Sequence, residues 1–205
     1  MESTIKTQPV PSWFDPYAPV RCDVYVLLAA LLGRPPSEEL IKIMQSLDWS
    51  EVLPEGLDQA LQVLSQAGHR YLLTALEEEY DQLFVGLGRG EMMPYASWYK
   101  GKKIQSLPLV AVRSDLFRLG IVRQSEFCEP EDHAAALCEV MALISRKTME
   151  VPLETQADFF QKHLSWWLSD LFEDLRAAKK AEFYREVGSF GKCFVESEKE
   201  FLDVK

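Results

Sequence analysis

Apolar positions recur at three- and four-residue intervals along nearly the whole chain, the spacing that lines one face of an α-helix. The run VYVLLAALL, residues 24 to 32, predicts a buried helix stopped by Gly33 and the Pro35–Pro36 pair. Ser37 is placed to cap a second helix that reaches Leu47. Leu57, Leu61 and Leu64, with Ala60 and Ala67, predict a third, interrupted at Gly68. Leu72, Leu73, Leu76, Tyr80, Leu83 and Phe84 form the stripe of a fourth, with Glu77, Glu78 and Glu79 mostly on its wet side.

After Gly86, Gly88 and Gly90 the period is lost, and it resumes near Pro108, which suits a helix N1 position. Leu109, Val112, Leu116 and Leu119 make the face of that helix, and Gly120 closes it. A further helix is expected to open at Pro130, with Glu131 and Asp132 in a first turn where the helix dipole favours acids. Leu137, Val140, Met141 and Ile144 form its buried side. Beyond Pro152, one stripe runs through Phe159, Phe160, Leu164, Trp167 and Leu171, and another through Phe183, Val187, Phe190 and Phe194. No segment shows the two-residue alternation of a strand, and no repeat is present. The expected fold is all-α, a single many-helix globule over residues 20–205.

Two stretches break the pattern. Residues 1–19 carry four prolines and read as an extended arm that packs through Trp13 and Phe14. The gap at residues 86–106 holds Pro94, Tyr95, Trp98 and Tyr99, and an irregular loop of that length in a compact domain is usually functional. Its aromatic content argues against disorder. An ordered, irregular binding loop is therefore expected there.

Composition narrows the partners. The 205 residues are 47% hydrophobic and 26% charged, ordinary values for a soluble globular protein. The net charge of −10, from 32 acidic and 22 basic side chains, disfavours nucleic acid and anionic lipid and favours a basic partner. The N-terminus lacks the basic-then-apolar pattern of a secretory signal, and the longest apolar run is too short to span a bilayer. Cys22, Cys128, Cys138 and Cys193 lie far apart without a CxxC pair, which fits reduced thiols in the cytoplasm and gives no zinc spacing. No cofactor or metal is expected.

No nucleotide-binding, metalloprotease or hydrolase signature is present. GLGRG, residues 86 to 90, ends a helix instead of opening one, so it is poorly placed for phosphate. His69, His133 and His163 stand singly. Asp132 and His133, as neighbours on a helix, would point about 100° apart and do not readily form a hydrogen-bonded dyad, so an enzyme using the pair is a weak alternative. In CEPEDHAAALCEVM, Glu129, Glu131 and Asp132 cluster beside His133. Such a cluster can cap a helix, or it can form an acidic pocket for a guanidinium or ammonium group.

LEEEYDQLFVGLGRGEMMPYASWYKGK followed by CEPEDHAAALCEVMALI resembles the TorD/DmsD family of molybdoenzyme-maturation chaperones. Tyr80, Leu83 and Phe84 match its aromatic-x-x-Leu-Phe helix end. Pro94, Tyr95, Ser97 and Tyr99 match its loop, and Glu129, Pro130, Asp132 and His133 match its Glu-Pro-x-Asp-His motif. The early VYVLLAALLGRPPSEEL and the late HLSWWLSDLF and AEFYREVGSFGKCFVESEKEFL are similar too, so the likeness runs in register from about residue 20 to 203. One departure is Gly86-Leu87-Gly88, where many members have Gly-Pro after the Leu-Phe pair.

The resemblance implies a non-enzymatic helical chaperone, monomeric or a domain-swapped dimer. Its partner would be the twin-arginine leader and body of a molybdoenzyme precursor, held from export until the cofactor is loaded. The implied leader-binding residues are Tyr80, Leu83, Phe84, Pro94, Tyr95, Ser97, Tyr99, Glu129, Asp132 and His133. An alternative is a helper that binds the molybdopterin cofactor or a guanine nucleotide, for which Arg89, Lys100, Lys102 and Lys103 are the local basic residues.

Overall fold

A computed structural model describes residues 17–47, 54–86, 90–104, 106–123 and 129–203. Ten α-helices carry the fold among these residues: α1 (Ala18–Gly33), α2 (Glu38–Ser46), α3 (Glu55–Ala67), α4 (Leu73–Tyr80), α5 (Ala96–Gly101), α6 (Leu107–Arg118), α7 (Ala134–Ser145), α8 (Leu153–His163), α9 (Leu168–Ala177) and α10 (Phe183–Phe201). A π-helical turn, Asp81–Val85, extends α4, and a short 3-10 turn, Lys147–Met149, follows α7. No strand occurs among the described residues; the only extended pairing there is a single bridge between Tyr95 and His133.

The centre is α1, packed mainly on α7, while α10 packs on α9 and α3. Val24, Tyr25, Leu28, Leu31 and Leu32 of α1 are wholly buried, as are Phe183, Val187 and Phe190 of α10. Burial of this apolar surface is the main stabilising term. One ionic network crosses the interior. Arg21 donates through Nε and Nη2 to the two carboxylate oxygens of Glu198 at 2.7 and 2.9 Å and through Nη1 to Gln156 at 3.0 Å. Tyr25 adds its hydroxyl to Glu198 at 2.8 Å. The network ties α1 to α8 and α10, with fork-to-fork geometry that satisfies the buried charges.

Ser37 caps α2 as expected, its hydroxyl accepting from Leu40 N at 3.1 Å. Gly120 follows α6 with φ 69°, the left-handed residue that the helix end requires.

Five sequence expectations are corrected. The segment 86–106 is not irregular throughout, because α5 occupies its centre. Six residues hold a helix there because tertiary contacts cap it: Asp132 O accepts from Ala96 N at 3.0 Å and Asp132 Oδ2 from Ser97 N at 2.9 Å. Second, α7 opens at Ala134, not at Pro130. Residues 130–133 form a turn closed by His133 N donating to Pro130 O at 3.0 Å, so Glu131 and Asp132 precede the helix. Third, the proposed arm does not reach residue 19, since Ala18 and Pro19 belong to α1; Trp13 and Phe14 lie outside the described residues. Fourth, the stripe from Phe159 to Leu171 spans two helices. Residues 164–167 form tight turns, and Trp167 Nε1 donates to His163 O at 2.7 Å while its ring stays in the core. Fifth, Glu79 turns inward. Its carboxylate accepts from the amides of Glu182, Phe183 and Tyr184 at 2.8 to 3.1 Å, and so caps α10 from another helix.

Candidate functional site

The π turn sets the geometry of the site. Gly86 N donates to Asp81 O at 2.7 Å, and Leu83 O is free to accept from Met92 N at 2.7 Å. The returning chain passes so close that a Cβ on Gly90 would lie 2.5 Å from Leu83 O and 2.6 Å from the Phe84 carbonyl carbon. Only glycine fits that approach. The chain then runs antiparallel to the start of α7, with Ala134 N donating to Pro94 O at 2.8 Å and Ala96 N to Asp132 O. A helix end, a loop and a helix start, distant in sequence, meet here.

Most of the predicted residues come together at this junction. The Tyr95 ring meets the His133 ring edge-on at 4.9 Å, and its hydroxyl donates to Glu129 Oε2. Tyr80 and Phe84 stack at 4.8 Å and share Tyr184 of α10 at 6.0 and 5.3 Å. The hydroxyls of Tyr80 and Tyr184 donate to the carbonyls of Leu32 and Leu31, which end α1. Phe84 and Tyr95 are half-buried and Glu129 is exposed, so an aromatic face and a carboxylate reach solvent side by side.

Other predicted residues serve as frame. Leu83 and Pro94 are buried. Ser97 is fully buried, donating its amide to Asp132 and accepting from Ser106 N at 3.2 Å through Oγ. Asp132 is wholly buried; one oxygen caps α5 and the other, Oδ1, meets no donor among the described residues. His133 caps α7, Nδ1 accepting from Ala135 N at 3.1 Å. Tyr99 stands apart, donating to Asp174 at 2.7 Å and packing on Trp167 at 5.2 Å.

Electrostatics follow from this packing. Burial pushes the Tyr80 hydroxyl up to about 12, with the charges of Glu129 and Asp81 adding to it. Burial also drives the Tyr95 hydroxyl far upward, reinforced by its hydrogen bond to Glu129. Burial lowers His133 from 6.5 to about 4 against the opposing pull of Glu129 and Asp132, so the ring is neutral at pH 7. No group of side chains suited to a metal ion occurs among the described residues. Lys100 lies over Trp166 at 5.6 Å, and Lys102 over Trp98 and Tyr99 at 5.2 and 5.3 Å. These ammonium groups rest on rings and do not converge on a phosphate-sized cradle.

Sequence reasoning missed three contributors. Tyr184 completes the aromatic cluster, and its spacing in α10 reads only as core. Arg113 of α6 donates to Glu131 at 3.0 and 2.9 Å, and Arg123 stands 3.8 Å from the same carboxylate. Neither arginine lies in a motif.

A model of the nitrate reductase delta subunit family matches residues 50–173, which include most of this junction. The chain belongs to this family. Chaperone protein TorD of Vibrio cholerae is 24% identical over 202 residues, covering 89% of this chain and 92% of that protein. A perchlorate reductase assembly chaperone protein of Dechloromonas aromatica is 26% identical over 200 residues, covering 86% and 87%. A protein of Archaeoglobus fulgidus, described as a redox enzyme maturation protein, shares the fold with a TM-score of 0.57 at 16% identity, over 95% of this chain and 99% of that one. The family is one of chaperones and maturation proteins, not of enzymes. Its all-helical fold is the one observed here.

Proposed function

We propose that this chain is a cytoplasmic chaperone that binds the twin-arginine leader of a molybdoenzyme catalytic subunit and delays export until the cofactor is inserted. The observation that carries this reading is the exposed Glu129 carboxylate held beside the Tyr95 ring, next to Phe84. A guanidinium can pair with the carboxylate and lie against an aromatic face. Leu83, Pro94, Ser97, Asp132 and His133 hold the junction in shape, and Tyr80 braces Phe84.

The client is found by retaining precursors from the organism's own cytosol on the tagged protein, and its leader is then titrated by calorimetry. A charge-assisted hydrogen bond contributes about 1.5–3 kcal/mol, so Glu129→Gln is expected to weaken binding about tenfold or more. Tyr95→Ala is expected to weaken it as well, with melting temperatures of both variants close to that of the parent. Unchanged affinity in both variants, or loss only with unfolding, would place the site elsewhere.

A further inference from the structure

Two glutamates flank the π turn, Glu79 before it and Glu91 after it, and both reach the turn that joins α9 to α10. Glu79 is buried and caps α10. Glu91 is exposed, yet its carboxylate spans 88 and 89 residues of chain to accept from the amides of Lys179 at 2.8 Å and Lys180 at 3.3 Å. The next residue, Met92, is buried and donates its amide to Leu83 O. The loop is thus gripped from two sides as it leaves the π turn, by the Leu83 carbonyl and by the α9–α10 turn. Directly afterwards it delivers Pro94 and Tyr95 to the junction.

The gripped turn leads into Tyr184, whose ring packs on Phe84 and Tyr80. Glu91 therefore links the two halves of the aromatic face, the loop that carries Tyr95 and the helix start whose Tyr184 backs Phe84. An exposed carboxylate exchanges water for amides at little net gain, so what Glu91 supplies is position more than stability. We propose that Glu91 is a positioning residue for leader binding, its carboxylate clasping the α9–α10 turn so that Tyr95 and Phe84 share one face before the leader arrives. The inference rests on the leader-binding reading above. A loop ordered in advance spares the ligand the entropy of ordering it. Without the clasp the loop keeps its bonds to Leu83 and to Ala134, so the fold survives while the face loosens.

Glu91→Ala removes the acceptor, whereas Glu91→Gln removes the charge and keeps one oxygen for an amide. The probe is a synthetic peptide of two adjacent arginines followed by a leucine–alanine stretch, with a control in which glutamines replace the arginines. Each is titrated by calorimetry into the full 205-residue chain. Glu91→Ala is expected to weaken the arginine peptide at least about fivefold, with a melting temperature within about 2 °C of the parent. Glu91→Gln is expected to stay within about twofold of the parent. Amide NMR gives a readout that needs no peptide: the Tyr95 and Phe84 signals should move further in Glu91→Ala than in Glu91→Gln.

Equal weakening in both variants would mean that the carboxylate touches the peptide's arginines itself, which overturns the positioning role. Parent-like affinity in Glu91→Ala overturns it too, as does a loss that tracks a fall in melting temperature or leaves the Tyr95 and Phe84 signals in place. The leader reading survives each of these results while the parent prefers the arginine peptide to the control. Equal binding of the two peptides by the parent overturns the leader reading itself.

Discussion

His133 shows how one side chain joins the candidate site to stability. Its Nδ1 accepts the Ala135 amide, so the ring must be unprotonated at that nitrogen to cap α7. Burial disfavours the charged ring and lowers its pKa from 6.5 to about 4, and protonation at Nδ1 would also set a donor against the Ala135 amide. Between those values the unfolded chain binds the proton and the folded chain does not. This contribution is therefore fully present above pH 6.5 and lost as pH falls toward 4, by up to about 3 kcal/mol. Asn at a helix N-cap keeps an acceptor without titrating. Urea unfolding of the parent and of His133→Asn at pH 7 and pH 5 should show the parent losing more stability on acidification. Equal losses would mean that the ring is already solvated in the folded state. The sequence sets His133 and Asp132 side by side but does not show their capping roles. Asp132 points away from solvent to cap α5, because the partner amide at Ser97 is brought to it only by the fold.

At the scale of elements, the long amphipathic helices were readable and the short, externally capped ones were not. The apolar faces of α1, α3, α6 and α10 are written at helical spacing. The ends of α5 and α10 are made by residues remote in sequence: Asp132 caps α5, and Glu79 caps α10 across 103 to 105 residues. Three neighbouring glutamates in α4 look alike in sequence, yet Glu77 and Glu78 are exposed and only Glu79 is buried. No side chain local to α10 caps its N-terminus, so Glu79→Ala leaves three amides without their acceptor. A buried donor left unpaired costs about 1–3 kcal/mol. Thermal unfolding should place Glu79→Ala at least about 2 kcal/mol below the parent, with Glu77→Ala and Glu78→Ala within about 0.5 kcal/mol of it. If all three variants melt together, the cap contributes nothing to the folded state.

Across the whole molecule, a net charge of −10 would attract a basic segment before it reached the proposed site at Glu129. No described helix is long and apolar enough to cross a membrane, and the exposed large apolar side chains are spread over many elements, from Val26 of α1 to Phe201 of α10. Long-range attraction and short-range apolar contact respond oppositely to salt. Raising ionic strength from about 0.1 M to about 1 M shortens the Debye length from about 10 Å to about 3 Å. Apolar burial is not screened, and excluded salts such as sulfate strengthen it. Steering by the summed field acts on the association rate, whereas desolvated contacts set dissociation. Stopped-flow binding of a peptide with paired arginines and an apolar stretch should therefore show association slowing at least about tenfold over that range. Dissociation should change by no more than about threefold. A peptide with serines in place of the apolar residues should leave faster at every salt concentration. A flat association rate, with all of the salt dependence in dissociation, would confine the attraction to the local pair at Glu129 and remove any role for the acidic surface as a whole.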